Sequence, residues 1–186
     1  MSEADLRDIA ASLQGDGAGY ARLVERYQND IAAQMWRFTQ DRLALEELVQ
    51  DVFVEAYGSL RNFRGDAPFL HWLRRIATRV GYRFWKNRKR QDDRRGTVAD
   101  WEKLPARDTG DMDRLEAQET LALLMNQLNP ADRLVLTLVH LEELSVAEAA
   151  RRTGWTRITV KVRAHRARKK LKALLEKHVQ GLEHSP

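Results

Sequence analysis

In the stretch WTRITVKVRAHRARKKLKALL, residues 155–175, Val160, Ala164, Ala167, Leu171 and Leu174 recur every three or four positions. That spacing places all five on one side of an α-helix and conflicts with the period of two that a half-buried strand needs. Residues 155–170 also carry seven cations, Arg157, Lys161, Arg163, Arg166, Arg168, Lys169 and Lys170, and no acid. A chain with this segment must cover one narrow apolar row while a dense positive surface stays in water. Packing of amphipathic helices meets both demands.

The remaining sequence agrees. Only 10 Gly and 4 Pro occur in 186 residues and β-branched residues rarely cluster, so the expected fold class is all-α. Helices are expected at 3–14, ending on Gly15-Asp16-Gly17, then at 18–40, with Tyr20, Leu23, Val24, Tyr27, Ile31 and Met35 at helical spacing. A third is expected at 44–60, and a long one from Pro68 to about 90. Residues 92–112 contain Gly96, Pro105 and Gly110 and hold no sustained period, which marks a flexible linker. Helices resume at 113–128, at 130–142 behind Asn129 and Pro130, at 145–153 behind Ser145, and at 156–178 behind Thr156. The expected organisation is two small helical domains, 1–91 and 113–180, joined by the linker at 92–112.

Charge is unevenly distributed. Residues 1–60 hold eleven acids and five bases, residues 74–95 ten bases and two acids, residues 96–130 seven acids and three bases, and residues 151–177 eleven bases and one acid. Two basic blocks, each beside an apolar row, point to two contacts with a polyanion. Cysteine is absent, which excludes disulfides and thiolate metal sites. The five His residues lack ligand spacing, so neither a metal nor a cofactor is expected. The start MSEADLRDIAASL lacks the basic and apolar regions of a signal peptide, and no apolar stretch approaches the ~20 residues of a membrane span. The expected compartment is the cytoplasm, with no stable membrane insertion. No phosphate-binding Gly loop or Ser/His/Asp set stands out.

SVAEAARRTG, the turn Gly154-Trp155 and the basic helix behind Thr156 together form a helix-turn-helix pattern. Ala150 is small enough for close helix approach, Gly154 takes the turn and Val160 anchors the second helix. Such a helix enters the major groove amino end first. Arg157, Ile158, Lys161 and Val162 are then placed to reach base edges, Arg pairing with guanine and an apolar group touching a thymine methyl. Arg163 flanks the seam, where an ion pair with Glu148 competes with a DNA contact.

In FLHWLRRIATRVGYRFWKNRKR, Phe69, Leu73, Ile76, Val80 and Phe84 form an apolar side with Trp72 beside it. The other side carries His71, Arg74, Arg75, Thr78, Tyr82, Trp85 and Lys89. Aromatic rings on a basic face either stack on unpaired bases or pack on another helix. The preceding loop, Asn62–Asp66, has the composition to hold an extruded base. In LALEELVQDVFVEAYGSL, Leu45, Leu48, Val52, Ala56 and Leu60 face the core. Glu47, Asp51 and Glu55 run outside at four-residue intervals, beside Gln50 and Val54. This acidic stripe is either a docking face for a basic partner or a solubilising surface.

LEELVQDVFVEAYGSLRNFRG, FLHWLRRIATRV and LNPADRLVLTLVHLEELSVAEAARRTGWTRITVKVRAHRARKKL, taken in order, resemble a bacterial extracytoplasmic-function sigma factor over nearly the whole chain. The resemblance implies a non-enzymatic protein that binds core RNA polymerase and directs it to promoter DNA. It implies polymerase contacts at Glu47, Gln50, Asp51, Val54 and Glu55. It implies capture and melting of the −10 element by Asn62, Phe63, Arg64, Arg75, Tyr82, Trp85 and Lys86. The −35 element falls to Arg157, Ile158, Thr159, Lys161, Val162, His165 and Arg166. An anti-sigma factor, in some cases one that holds the protein at the inner membrane, is a further implied partner. The chain departs from the family pattern at Arg79 and Arg83, often Asn and Asp, at Glu148-Ala149-Ala150 and at Ile158. Two other functions fit the sequence: a stand-alone helix-turn-helix regulator, and a sigma mimic that sequesters an anti-sigma factor.

Overall fold

The computed structural model describes residues 2–95 and 112–183, which are helical with no strand among them. Helix α1 is Glu3–Leu13, α2 Gly17–Met35, α3 Arg42–Ser59 with a 3-10 turn at Leu60–Asn62, and α4 Phe69–Arg95. Then follow α5 Met112–Asn126, α6 Pro130–Leu136 with a π turn at Thr137–Leu141, α7 Val146–Thr153 and α8 Arg157–Glu183. Most of the expected linker lies outside the described residues; residues 92–95 continue α4. The helices form two compact units, Met1–Phe84 and Trp85–Pro186, so the boundary falls inside α4, ahead of the expected 91.

Helix α2 stops at Met35, short of the expected 40, because Phe38 turns inward and is buried. Its ring sits over Gly81 of α4, where a Cβ would lie 2.4 Å from the ring. Any side chain at 81 displaces Phe38, and overpacking of this kind costs about 1–3 kcal/mol. Asp41 then restarts the chain as the cap of α3, its carboxylate accepting from Ala44 N at 2.7 Å. Leu23, Ile31, Met35, Val52, Phe69, Leu73, Ile76 and Val80 are fully buried and form the core of the first unit. Each such side chain stabilises by about 1.5–3 kcal/mol through apolar burial.

Charge fastens α1 to α2. Asp5 and Asp8 are buried, and Arg26 reaches both, with Nη1 2.8 Å from Asp5 and Nη2 2.6 Å from Asp8. Arg22 Nε meets the other oxygen of Asp8 at 2.7 Å, and the Tyr27 hydroxyl donates to Asp5 at 2.9 Å. Hydrogen bonds from Arg26 and Arg22 hold the Asp8 carboxyl below its ordinary range. Burial pushes Asp5 upward, but bonds from Ser2, Tyr27 and Arg26 outweigh it and the net shift is down. The Tyr27 phenol is pushed up to about 12 by burial and by Asp5.

In the second unit Met125, Leu128, Leu136 and Ala167 cluster, with Leu171 and Leu174 packed against them. Asn129 caps α6 through a bond from Asp132 N to its side-chain oxygen at 3.0 Å. The expected 130–142 helix widens into the π turn, where Glu142 N donates to Thr137 O at 2.9 Å, five residues back.

Candidate nucleic-acid and partner interfaces

Helix α7 opens with a capping box: Glu148 N donates to Ser145 Oγ at 3.2 Å and Ser145 N donates to the Glu148 carboxylate at 3.0 Å. Those Ser145 bonds hold the Glu148 carboxyl below its ordinary range. Gly154 ends the helix at φ +75°, a left-handed conformation that a Cβ disfavours, and the chain reverses there. Thr156 caps α8 by accepting from Thr159 N at 3.1 Å. Buried Ala149 and Ala150 let α7 approach, and fully buried Val160 plugs the angle between the helices.

This arrangement turns the sequence-predicted −35 set outward. Arg157, Lys161, His165 and Arg166 are exposed, as are Ile158 (75%) and Val162 (42%). Thr159 is half-buried and its hydroxyl pairs with Thr156 at 2.8 Å, so it shapes the helix start. Among the described residues no carboxylate pairs with Arg157, Lys161 or Arg166. Arg163 resolves differently from either expectation: it pairs with buried Asp132 at 3.4 Å, with Lys170 on the other oxygen of Asp132 at 2.5 Å. Glu148 is already engaged by its own cap. Asp132 thereby ties α8 to α6 through two cations.

Along α4 the sequence-predicted residues are handled less uniformly. Arg75 and Lys86 are exposed and Tyr82 is half-buried. The outward placement of Thr78 and Trp85 is corrected. Thr78 is buried, accepting from Gln34 Nε2 at 3.0 Å, and Trp85 is 4% exposed with the Arg133 guanidinium 4.0 Å from its ring centroid. Arg74 is tied to Asp30 at 2.9 Å. In the loop, Gly65 at φ +76° bends the chain and leaves Asn62 and Arg64 exposed. Phe63 packs edge-on to Phe69 at 5.4 Å and against Trp72 at 5.3 Å, so an aromatic cluster roots the loop.

The acidic stripe on α3 divides. Glu47, Gln50 and Val54 line a groove of about 790 Å³ between α2 and α3, and Asp51 is exposed without lining it. Glu55 turns to α4, where Arg79 and Arg83 hold its two oxygens. The groove also contains Tyr20, Leu43 and Tyr57, which the sequence-predicted set omits. Leu43, Val54 and Tyr57 are more than half exposed, and the Tyr20 hydroxyl donates to Phe53 O, fixing one wall. Burial pushes the Tyr20 phenol upward, so it stays a donor. The signal for the omitted residues is in the sequence: Leu43, Glu47, Gln50, Val54 and Tyr57 follow a 4-3-4-3 spacing. The acids at i, i+4 are simply the more conspicuous row.

Chemically, the molecule offers an acid-free basic helix face, a basic helix with engaged cations, and an apolar groove rimmed with acid. Among the described residues no cluster of His, Asp and Glu is arranged to hold a metal ion, and no helix is long and apolar enough to cross a membrane.

Residues 23–91 match the model of sigma-70 region 2 and residues 118–171 that of sigma-70 region 4. The chain is 30% identical to the RNA polymerase sigma-H factor of Pseudomonas aeruginosa over 183 residues, 94% of this chain and 95% of the relative. It is 31% identical to the ECF RNA polymerase sigma-E factor of Escherichia coli K12 over 169 residues, 83% and 85% of the two chains. Among solved structures it resembles CnrH in complex with the cytosolic domain of CnrY, at 29% identity and TM-score 0.57, covering 94% of this chain and 99% of that one. The fold is shared with RpoE of Bartonella quintana, solved with the anti-sigma factor NepR, at 22% identity and TM-score 0.62, covering 84% and 96%.

Proposed function

The chain belongs to the extracytoplasmic-function sigma factors of RNA polymerase, and from that premise we propose how its residues divide the work of transcription initiation. It acts by binding, with no catalytic step assigned to any side chain. Residues 1–91 engage core polymerase and the −10 element, and residues 113–180 engage the −35 element. Arg157, Ile158, Lys161 and Val162 read base edges in the major groove, with Thr159 setting the helix start and His165 and Arg166 on the flanking backbone. The observation that carries this reading is the acid-free outward face at the amino end of α8, behind the left-handed turn at Gly154.

On the first domain, Glu47, Gln50, Asp51, Val54 and Glu55, joined by Leu43 and Tyr57, meet core polymerase. An apolar groove with an acidic rim suits a basic amphipathic helix. Asn62, Phe63 and Arg64 take an extruded base. Arg75 and Lys86 follow the unpaired strand, and Tyr82 and Trp85 stack on it, Trp85 after Arg133 moves off its ring. Two weak readers held on one polymerase act at high effective concentration, so promoter binding needs the assembly. An anti-sigma factor is the natural inhibitor of these surfaces, and the cytoplasm is the proposed site of action, directly or at the inner membrane through that inhibitor.

In-vitro transcription with core polymerase, followed by start-site mapping, tests this. Defined starts preceded by a shared pair of elements are expected; no association of the purified chain with core polymerase overturns it. Trp85→Ala is expected to lower strand opening more than closed-complex formation. Equal loss of both steps counts against stacking.

A further inference from the structure

Glu55 Oε1 lies 3.3 Å from Arg79 Nη2 and Oε2 lies 2.9 Å from Arg83 Nη2. The two arginines are one helical turn apart, so both forks converge on one carboxylate of α3. The contacts are not structural pins. The Arg side chains are 58% and 54% exposed, and exposed pairs of this kind contribute little to stability. They sit in the middle of an outward row, in which Arg75, Arg79, Arg83, Lys86 and Arg90 follow every three or four residues and are all exposed. A carboxylate and a phosphodiester both offer two anionic oxygens to a guanidinium fork, so one can stand in for the other.

We propose that Glu55 is a latch: it occupies Arg79 and Arg83 in the free chain and yields them to the phosphates of an unpaired strand when α3 docks on polymerase. The docking half rests on the assignment of Glu55 to the polymerase surface made above; the phosphate half does not. Arginine–carboxylate contacts are replaced by arginine–phosphate contacts, while the freed carboxylate takes a basic group of the polymerase. Strand binding is thereby weak in the free factor and stronger on the enzyme.

The probe is a labelled single-stranded oligonucleotide of mixed sequence, titrated with the full chain and read by fluorescence anisotropy. Glu55→Gln is expected to tighten binding about 2- to 10-fold at low salt. The slope of log K against log salt is expected to steepen by about 1.4, two contacts at about 0.7 each. In an Arg79→Gln/Arg83→Gln background the same change at 55 is expected to do nothing. A gain that survives there reflects long-range charge and overturns the latch, as does no gain at all. An equal gain on a duplex of the same sequence overturns the assignment to an unpaired strand. Glu55→Ala, with helicity checked by circular dichroism, repeats the test without an amide that re-bonds the arginines. With core polymerase bound, the advantage of Glu55→Gln is expected to vanish; an undiminished advantage overturns release by docking. If the unsubstituted chain fails to capture core polymerase, the docking reading falls, and the free-chain titrations still decide the phosphate half.

Discussion

The outward faces of α8 and α4 are both basic, but they hold their cations in different states. On α8, Arg157, Lys161 and Arg166 meet no carboxylate among the described residues, and exposed Ile158 and Val162 lie between them. On α4, Arg74 is tied to Asp30, Arg79 and Arg83 to Glu55, and Lys89 to Asp93, while Trp85 lies under Arg133. The difference follows from the substrates proposed for the two faces. A duplex exists before the protein arrives, so its reader is useful ready-made. An unpaired strand exists only after opening, and an unguarded basic aromatic face binds any single strand it meets.

The comparison is broken most severely by reversing charge on the ready face. Arg157→Glu with Lys161→Glu is expected to weaken binding of the assembled holoenzyme to a −35 duplex by at least about 100-fold, since each good base contact is worth about 1–3 kcal/mol. Binding of the holoenzyme to a template already mismatched at −10 is expected to survive, measured by electrophoretic mobility shift. Survival of −35 binding instead shifts recognition away from α8.

The next largest effect belongs to the acidic row of α3. Glu47→Lys with Asp51→Lys is expected to reduce capture of core polymerase about 10- to 100-fold, with helicity unchanged, because like charges across an interface cost several kcal/mol. Unchanged capture removes α3 from the docking surface.

The first unit, unlike α8's outward face, depends on acids, and pH sharpens that contrast. Asp5 and Asp8 ionise below their ordinary value of 3.8, so their stabilisation is complete above it and is lost as pH falls through the lower folded values. Hydrogen exchange is expected to show α1 protected from neutral pH down to about 4 and losing that protection progressively as pH falls below 3.8. Asp8→Asn is expected to destabilise the fold by about 1–3 kcal/mol at neutral pH, read by thermal or denaturant unfolding, since it leaves Arg22 and Arg26 short of a partner. Protection of α1 that persists into acid contradicts this account.

The smallest change tunes the ready face. Ile158→Ala leaves every cation in place and removes apolar reach, so it is expected to shift preference at one −35 position by only a few-fold, about the worth of a thymine-methyl contact. Selection from a randomised −35 library measures it.

Where a helix buries one continuous apolar row, the sequence was legible. The row Val160, Ala164, Ala167, Leu171 and Leu174 predicts the seam of α8, and its opposite face is the exposed one. On α4 the same reasoning works as far as Val80 and then fails at Trp85. A helical wheel drawn on one apolar row assumes one burying direction, whereas the boundary between the compact units falls inside α4, just ahead of Trp85. Thr78 fails for another reason: a buried hydroxyl is acceptable when Gln34 and the Arg74 carbonyl bond it, and that partnership spans 44 residues. Arg163 with Asp132 and Glu55 with Arg83 are likewise tertiary pairs, 31 and 28 residues apart, which no local spacing announces. The π turn leaves no local signature either, because it is a change of hydrogen-bond register and not of residue type.

Asp132 draws the cations Arg163 and Lys170 to its two oxygens and so sets the pose of α8 from the side opposite its outward residues. Holding and reading are thus done by separate side chains. On the proposed division of roles, an outward residue of α8 can be exchanged while the tie to Asp132 beneath it stays in place.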